Sequence, residues 1–182
     1  NLNVGGSPSN NLKANASIII GAYSSSGYDF VGELEQLIIF GSALSDTDRK
    51  LVERYLGSTG VGLYSNIPGL STQALESLVA HYNGKMGVES DGESVVSWTP
   101  VDGYGDSLDE MIVRSTQIGN GSPELIKYGH PGKLIFNDSN VKTDGRYLEG
   151  KLSNAKSKEL TVFWVGHYKA DAPFATSGTY VY

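Results

Sequence analysis

Short runs of alternating apolar and polar residues make up most of the chain, and this spacing is typical of β-strands. The clearest run, residues 34–40, carries apolar side chains on both sides, so it predicts a strand that is covered on both faces. One face is predicted to carry Leu34, Ile38 and Phe40, and the other Glu35, Leu37 and Ile39. Further strands are predicted within 12–22 and over 94–98, 125–128, 133–136 and 160–168.

One short α-helix is predicted near residues 46–56. Ser45 is a good N-cap, and Asp46 and Asp48 suit the positive end of a helix dipole. Gly57 supplies the residue type that ends a helix in a left-handed turn. Apolar residues recur at helical spacing at Leu51, Val52, Tyr55 and Leu56.

A hairpin is predicted before the strand at 34–40. Residues 24–27 read Ser-Ser-Ser-Gly, which is a turn signal, and they separate a β-branched segment from Phe30. Tyr23 and Tyr28 flank this turn. The sequence therefore places two aromatic residues beside one polar loop.

The composition limits the class of protein. In 182 residues, 39% are hydrophobic and 19% are charged, which is a globular composition. The 20 acidic and 14 basic side chains leave a formal net charge of −6, which argues against a nucleic acid partner. The absence of cysteine excludes disulfides, thiol catalysis and cysteine-ligated zinc. Every apolar run is too short for a bilayer-spanning helix, so no membrane insertion is expected.

Turn-forming residues are concentrated between the helix and the next apolar segment, at Gly60, Gly62, Asn66, Pro68 and Gly69. They predict a linker over 64–71 between a unit at 1–63 and a second unit at 72–182. A piece of roughly 60 residues buries little surface by itself. Two arrangements remain open: the chain is an excerpt with parts of two tandem domains, or both parts complete one sandwich in permuted order.

Several of these residues resemble the signatures of a known superfamily. Residues 32–56 resemble the closing strand, turn and helix of concanavalin A-like lectins and glucanases, in the laminin-G-like branch. Residues 81–105, with Ser97-Trp98 and Gly103-Tyr104-Gly105, resemble the opening of the same kind of domain. Pro123, the Gly132 to Phe136 segment and the Leu160 to Phe163 segment then follow in the family's order. The family usually has Glu where this chain has Gln36, and Asp where it has Pro100.

The resemblance implies an all-β fold, an antiparallel β-sandwich of the jelly-roll, concanavalin A-like type. It implies the C-terminal half of one laminin-G-like domain at 1–63, followed by the N-terminal part of a second at 72–182. The two layers are expected to pack through apolar side chains from both units. These are Leu34, Ile38, Phe40, Trp98, Phe136 and Val162.

Three tyrosines are candidate ligand-binding residues. Glycan sites combine aromatic platforms, which contact the apolar faces of sugar rings, with polar groups on loops. Tyr23 and Tyr28 flank the serine-rich turn, and Tyr104 lies in a loop rich in glycine and aspartate. The expected partner is a glycan or a cell-surface polysaccharide.

The same loop is a candidate metal site. Asp102, Asp106 and Asp109 carry the oxygen ligands that a hard cation such as calcium prefers, although their spacing matches no EF-hand. Calcium is therefore a possible cofactor, and the alternative is a polar turn in which each Asp caps its own backbone.

Glu33 and Glu35 have the spacing of a carboxylate pair along one strand, as in sandwich glucanases. A third acidic residue is missing from the following positions, which are Leu37 and Ile39. The two glutamates are therefore expected to be solvated charges rather than a catalytic pair.

These expectations combine into a non-catalytic carbohydrate-binding or adhesion module. It would belong to a larger secreted, cell-surface or virion protein, such as a phage tail fibre, and would contact neighbouring domains or chains there. One alternative is a structural module that decorates or cross-links a virion and contacts protein. The third reading is a glycoside hydrolase.

Overall fold

The computed structural model describes residues 16–23, 28–57, 67–101, 111–115, 126–129, 132–136, 146–152 and 160–168. Within these ranges the fold is all-β, with two short helices, α1 (Asp46–Gly57) and α2 (Thr72–Glu76). The strands are β1 (Ala16–Ile20), β2 (Ala22–Tyr23), β3 (Tyr28–Asp29), β4 (Gly32–Phe40), β5 (Leu78–Asn83), β6 (Val88–Asp91), β7 (Ser94–Trp98), β8 (Met111–Ser115), β9 (Lys127–Gly129), β10 (Lys133–Phe136), β11 (Arg146–Leu152) and β12 (Thr161–Tyr168).

Ten of these strands form one curled antiparallel sheet in the order β1-β11-β8-β7-β9-β10-β4-β12, with β5 beside β4 and β6 beside β7. The remaining two, β2 and β3, pair with each other. Strand β4 is bordered on both edges: β12 runs along one edge, while β10 and then β5 run along the other. The curled sheet gives the β-sandwich that the sequence predicts, and it surrounds β4 with neighbours.

The sandwich interior is a core of buried side chains from strands far apart in the sheet order. Tyr82 on β5 and Trp98 on β7 are both fully buried, with ring centroids 5.3 Å apart. Full burial of a large apolar side chain stabilises a fold by roughly 1.5–3 kcal/mol. Other members of this sandwich core include Leu34, Leu37, Ile39, Met111, Leu134, Phe136 and Leu148.

A second core lies between the sheet and the helices. Phe40 on β4 packs edge-to-face against Phe163 on β12, with centroids 5.9 Å apart. Val52 and Leu56 of α1 cover these rings, and both are buried. This helix-covered core also contains Ile38, Ile67 and Leu78.

A β-bulge in β4 divides its side chains between the two cores. Strand β12 pairs Val165 with Gln36 and then Gly166 with Leu34, so the register skips Glu35. A bulge puts two successive residues opposite one and interrupts strict alternation. After the bulge, Ile38 and Phe40 point toward the helices. Before it, Leu34 points into the sandwich interior instead, although strict alternation would put it on the same face as Ile38.

The bulge corrects two details of the predicted core. Leu34 lies in the sandwich core, whereas Ile38 and Phe40 lie in the helix-covered core, so the prediction that these three share a face is wrong. Val162 is 41% exposed and is not a core residue. The expectation that Trp98 and Phe136 are buried in the interior is confirmed.

The predicted helix is confirmed, and its start is joined to α2. The Ser45 hydroxyl accepts from the Asp48 backbone N–H (3.1 Å) and donates to the Asp48 carboxylate (2.6 Å), which caps α1. Asp48 also accepts from the backbone N–H and the hydroxyl of Ser71, each at 2.9 Å. Ser71 is the N-cap of α2, whose Ala74 N–H it accepts. One buried carboxylate thus connects two helix N-termini.

Strands from both predicted units share the large sheet. β4, which precedes the predicted linker, pairs with β5, β10 and β12, which follow it. In the linker itself, Ile67 is buried in the helix-covered core. Segments on both sides of the predicted linker therefore belong to one sheet. The boundaries 1–63, 64–71 and 72–182 stay a prediction.

Candidate functional site

Polar side chains gather where α1 no longer covers β4. We call this region the polar end of β4 and define it by Glu33, Glu35 and Gln36. The apolar side chains of β4 that face α1 begin only at Ile38. Helix α1 ends at Gly57, and its Leu56 is the last of its buried side chains. The polar end therefore begins where the helix-covered core stops.

Lys133 on β10 binds both glutamates of the polar end. Its Nζ lies 2.7 Å from Glu33 Oε2 and 3.4 Å from Glu35 Oε1. The hydrogen bond to Glu33 raises the pKa of Lys133 above its usual value of 10.5, against the opposing effect of partial burial. All three side chains are about one-third exposed. The arrangement is an ion-pair cluster at the surface of the sheet, and the two carboxylates share one cation.

Buried polar side chains lie behind this cluster. His81 is completely buried, and its Nε2 is 3.2 Å from Oε1 of Gln36. Asn83, only 1% exposed, accepts the Lys85 backbone N–H on its Oδ1 (2.9 Å). Trp98 Nε1 donates to the Asn83 carbonyl at 3.2 Å. Buried polar groups are costly unless hydrogen-bonded, so these contacts hold each side chain in one position.

A small open cavity of about 130 Å³ lies at the polar end. Four of its lining residues are polar: Glu35 and Lys85, and the buried Gln36 and Asn83, which are 8% and 1% exposed. The rest of the lining comes from Leu56, Val165 and Gly132. The cavity therefore combines donors and acceptors with two aliphatic walls.

Close backbone contacts form one side of this cavity. The Gly84 N–H donates to the Glu35 carbonyl at 2.7 Å, and the Tyr128 hydroxyl donates to the Gly84 carbonyl at 3.1 Å. A Cβ on Gly84 would collide with the carbonyl oxygen of Gly132. Gly132 has a φ of 90°, which favours glycine. Both glycines are required for three chain segments to meet there.

The predicted hairpin is confirmed as a pairing of β2 with β3, in which Tyr23 stands directly opposite Tyr28. Directly opposite positions of an antiparallel pair are the closest cross-strand neighbours. The register therefore brings two of the three predicted ligand-binding residues to one place. The third, Tyr104, lies outside the described residues.

The predicted metal ligands Asp102, Asp106 and Asp109 also lie outside the described residues. In the part of the chain that is described, no group of three or more His, Cys, Asp or Glu side chains is placed to hold a metal ion. Calcium at the aspartate loop stays a prediction. Within the same described ranges, no helix is long and apolar enough to cross a membrane.

Comparison with known proteins gives no match: no family model, no curated protein and no solved structure is similar to this chain. In its described residues the protein is an all-β sandwich with two short helices on its sheet. The resemblance to laminin-G-like domains stays a prediction.

Proposed function

We propose that this chain is a non-catalytic carbohydrate-binding or adhesion module of a larger extracellular, cell-surface or virion protein. The observation that carries the proposal is the pairing of Tyr23 with Tyr28 beside the serine-rich turn. Aromatic rings can stack on the apolar face of a sugar ring, and serine hydroxyls can hydrogen-bond to its edge, so the residue types at this pairing and in the sequence between the two tyrosines suit a glycan. The laminin-G-like resemblance supports the same function.

The ion pairs at the polar end favour a non-catalytic role. In a retaining or inverting glycoside hydrolase, one carboxyl group of the pair must donate a proton. Glu33 and Glu35 instead both form ion pairs with the ammonium of Lys133, at 2.7 Å and 3.4 Å, so both carboxylates are engaged in a surface ion-pair cluster. We therefore expect no release of reducing ends from polysaccharides, and no difference between the parent chain and the Glu33→Gln or Glu35→Gln variants.

The two exposed isoleucines beside β11 do not form a continuous apolar patch. Ile19 on β1 and Ile112 on β8 are 49% and 40% exposed, and both pair with Glu149 of the intervening strand β11. The charged residue separates the two isoleucines. Protein interfaces usually need a continuous apolar centre, which these described positions do not form.

A glycan array tests the proposal directly. The full chain is expected to bind at least one glycan, and Tyr23→Ala and Tyr28→Ala are each expected to weaken that binding about tenfold, or about 1.4 kcal/mol. The corresponding Tyr→Phe variants keep the ring and are expected to bind nearly as the parent chain does. Tyr147→Ala, on β11, is the control outside the hairpin.

Two results would overturn the proposal. One is the absence of glycan binding by a chain whose circular dichroism shows a folded β-protein. The other is equal loss of binding in the Tyr147→Ala control and the hairpin variants, which would indicate loss of fold rather than loss of a platform.

A further inference from the structure

We propose that the Asn83-Gly84 pair, where β5 ends, is a modification site that deamidates spontaneously when β5 separates from β4 and is held unreactive in the folded chain. No glycan or other ligand takes part in this reaction. The site is therefore independent of the proposed binding function.

The reaction needs only the chain and water. The Gly84 backbone nitrogen loses its proton and attacks Cγ of Asn83, the new C–N bond closes a succinimide ring, and the side-chain nitrogen leaves as ammonia. Water then opens the ring to aspartate or isoaspartate. Asparagine is among the thermolabile residues of proteins. A glycine in the following position leaves the attacking nitrogen unobstructed and its backbone free to move, so Asn-Gly is an especially reactive pair.

In the folded chain both reacting groups are already engaged. The Gly84 N–H donates to the Glu35 carbonyl of β4 at 2.7 Å, and this hydrogen bond has to break before the nitrogen can lose its proton. The Asn83 side chain is only 1% exposed, and its Oδ1 accepts the Lys85 N–H at 2.9 Å. Attack therefore requires both groups to leave their partners, which happens when the end of β5 separates from β4.

Local structure explains why this chain keeps a reactive pair here. A Cβ on Gly84 would collide with the carbonyl oxygen of Gly132, so only glycine fits. The Asn83 side chain accepts from the backbone N–H two residues further on, as asparagine commonly does in turns. The turn therefore selects both residues, and the fold has to shield them.

Deamidation is expected to prevent the strands from pairing again. Asn83 stands directly opposite Gln36 in the pairing of β5 with β4, and both residues are buried. Aspartate at this position would be a buried charge, which is unfavourable without a paired cation. Isoaspartate also adds a methylene to the main chain beside the close contact of Gly84 with Gly132. A chain that opens for long enough is therefore lost from the folded population.

Peptide mapping by mass spectrometry tests the protection. The full chain is incubated at mildly alkaline pH with and without guanidinium chloride. Because deamidation is slow, its rate follows the population of the open form, and we expect it to be at least about a hundredfold slower at Asn83 without denaturant. The other Asn-Gly pair of the sequence, Asn120-Gly121, is the internal standard and should react at a rate comparable to that of Asn83 in denaturant.

Phe40→Ala tests the link to strand opening. Phe40 is completely buried on β4, so the variant raises the population in which β4 and β5 are apart. Without denaturant, Asn83 is expected to react at least about tenfold faster in this variant than in the parent chain. Val162→Ala removes exposed side-chain atoms instead, and Asn83 should react in it at the parent rate.

Asn83→Asp tests the consequence of the reaction. We expect the ratio of folded to unfolded chains to fall at least about tenfold, measured by urea unfolding at neutral pH. Gln73→Glu makes the same exchange of amide for carboxylate at an exposed position on α2. This control should change the ratio less than about twofold.

Four results would overturn the proposal. Equal rates at Asn83 with and without denaturant would show that the fold gives no protection. A reaction at Asn120 but none at Asn83 in denaturant would show that the pair is not reactive. A parent-like rate in Phe40→Ala would separate the reaction from strand opening, and parent-like stability of Asn83→Asp would remove the barrier to pairing again. Glycan binding, present or absent, decides none of these.

Discussion

The two ends of β4 differ in burial and charge within a few residues. At the apolar end, Ile38 and Phe40 are completely buried beneath α1. At the polar end, Glu33 and Glu35 are partly exposed and bind Lys133. The bulge and the end of α1 separate the two regions within a few residues. The difference teaches that coverage by a helix, rather than the strand itself, decides which end of β4 is buried and which is accessible to solvent.

The comparison predicts that the two ends respond differently to substitution. Changes at the apolar end are expected to lower the free energy of unfolding while leaving binding by the folded molecules intact. Changes at the polar end are expected to alter the free energy of unfolding little. Urea unfolding of the same variants measures this quantity.

The largest effect is expected for Phe40→Ala. Phe40 is completely buried and packs on Phe163, so its removal loses transfer free energy and leaves a cavity. We expect a loss of about 3–5 kcal/mol in the free energy of unfolding. Val162→Ala, on the neighbouring strand but 41% exposed, should change it by less than about 0.5 kcal/mol. Similar losses in both variants would contradict the assignment of Phe40 to a packed core.

An intermediate effect is expected for Asp48→Asn, which keeps the shape of the side chain. Only one oxygen remains to accept from Ser45 and Ser71, and the charge near two helix N-termini is lost. Hydrogen bonds to charged groups contribute about 1.5–3 kcal/mol, so we expect a loss of about 2 kcal/mol at pH 7. Asp46→Asn, in the same helical turn but highly exposed, is the control and should have little effect.

The difference in the free energy of unfolding between the parent chain and Asp48→Asn should depend on pH in a defined direction. The hydrogen bonds from Ser45 and then from Ser71 lower the pKa of Asp48 below its usual value of 3.8, although burial opposes them. The stabilisation is therefore fully present above pH 3.8 and is lost as the pH falls through the folded-state pKa. Urea titrations of the parent chain and Asp48→Asn should converge below pH 3.8. A constant difference down to pH 2 would contradict this account.

The sequence predicted those features that depend on neighbouring residues. The helix near 46–56 follows from Ser45 and the spacing of Leu51 to Leu56, and the structure has it at Asp46–Gly57. Strands β7 and β10 have the predicted bounds, 94–98 and 133–136. Local turn chemistry likewise predicted a hairpin around residues 24–27, and β2 pairs with β3 on either side of them. In each case the signal lies within a dozen residues.

Features that join distant segments were not predicted. The cavity draws its lining from α1, β4, β5, β12 and the turn before β10, and no periodicity connects residues so far apart. Lys133 was read only as part of a strand, although its place opposite the glutamates follows from the register of β10 on β4. Asp48 was read as a helix-dipole residue, while its bonds to Ser71 span 23 positions. The bulge at Glu35 also has no signal in the alternation.

The smallest change in the free energy of unfolding is expected for Glu33→Gln at the polar end. The variant loses the 2.7 Å contact with Lys133, but both side chains are about one-third exposed, so solvent and salt screen the interaction. We expect a loss of about 0.5 kcal/mol that diminishes in 1 M salt. Glu76→Gln, on exposed α2, is the control.

The pH dependence of this variant has the opposite sign to that of Asp48→Asn. Because the folded-state pKa of Lys133 is raised above 10.5, its contribution is fully present below pH 10.5 and is lost as the pH rises through the folded-state pKa. The stabilities of the parent chain and Glu33→Gln should therefore converge in alkali rather than in acid. A loss from Glu33→Gln as large as that from Asp48→Asn, insensitive to salt, would mean that the polar end of β4 supports the fold as strongly as the buried helix cap does, and the contrast between the covered and the exposed end would fail.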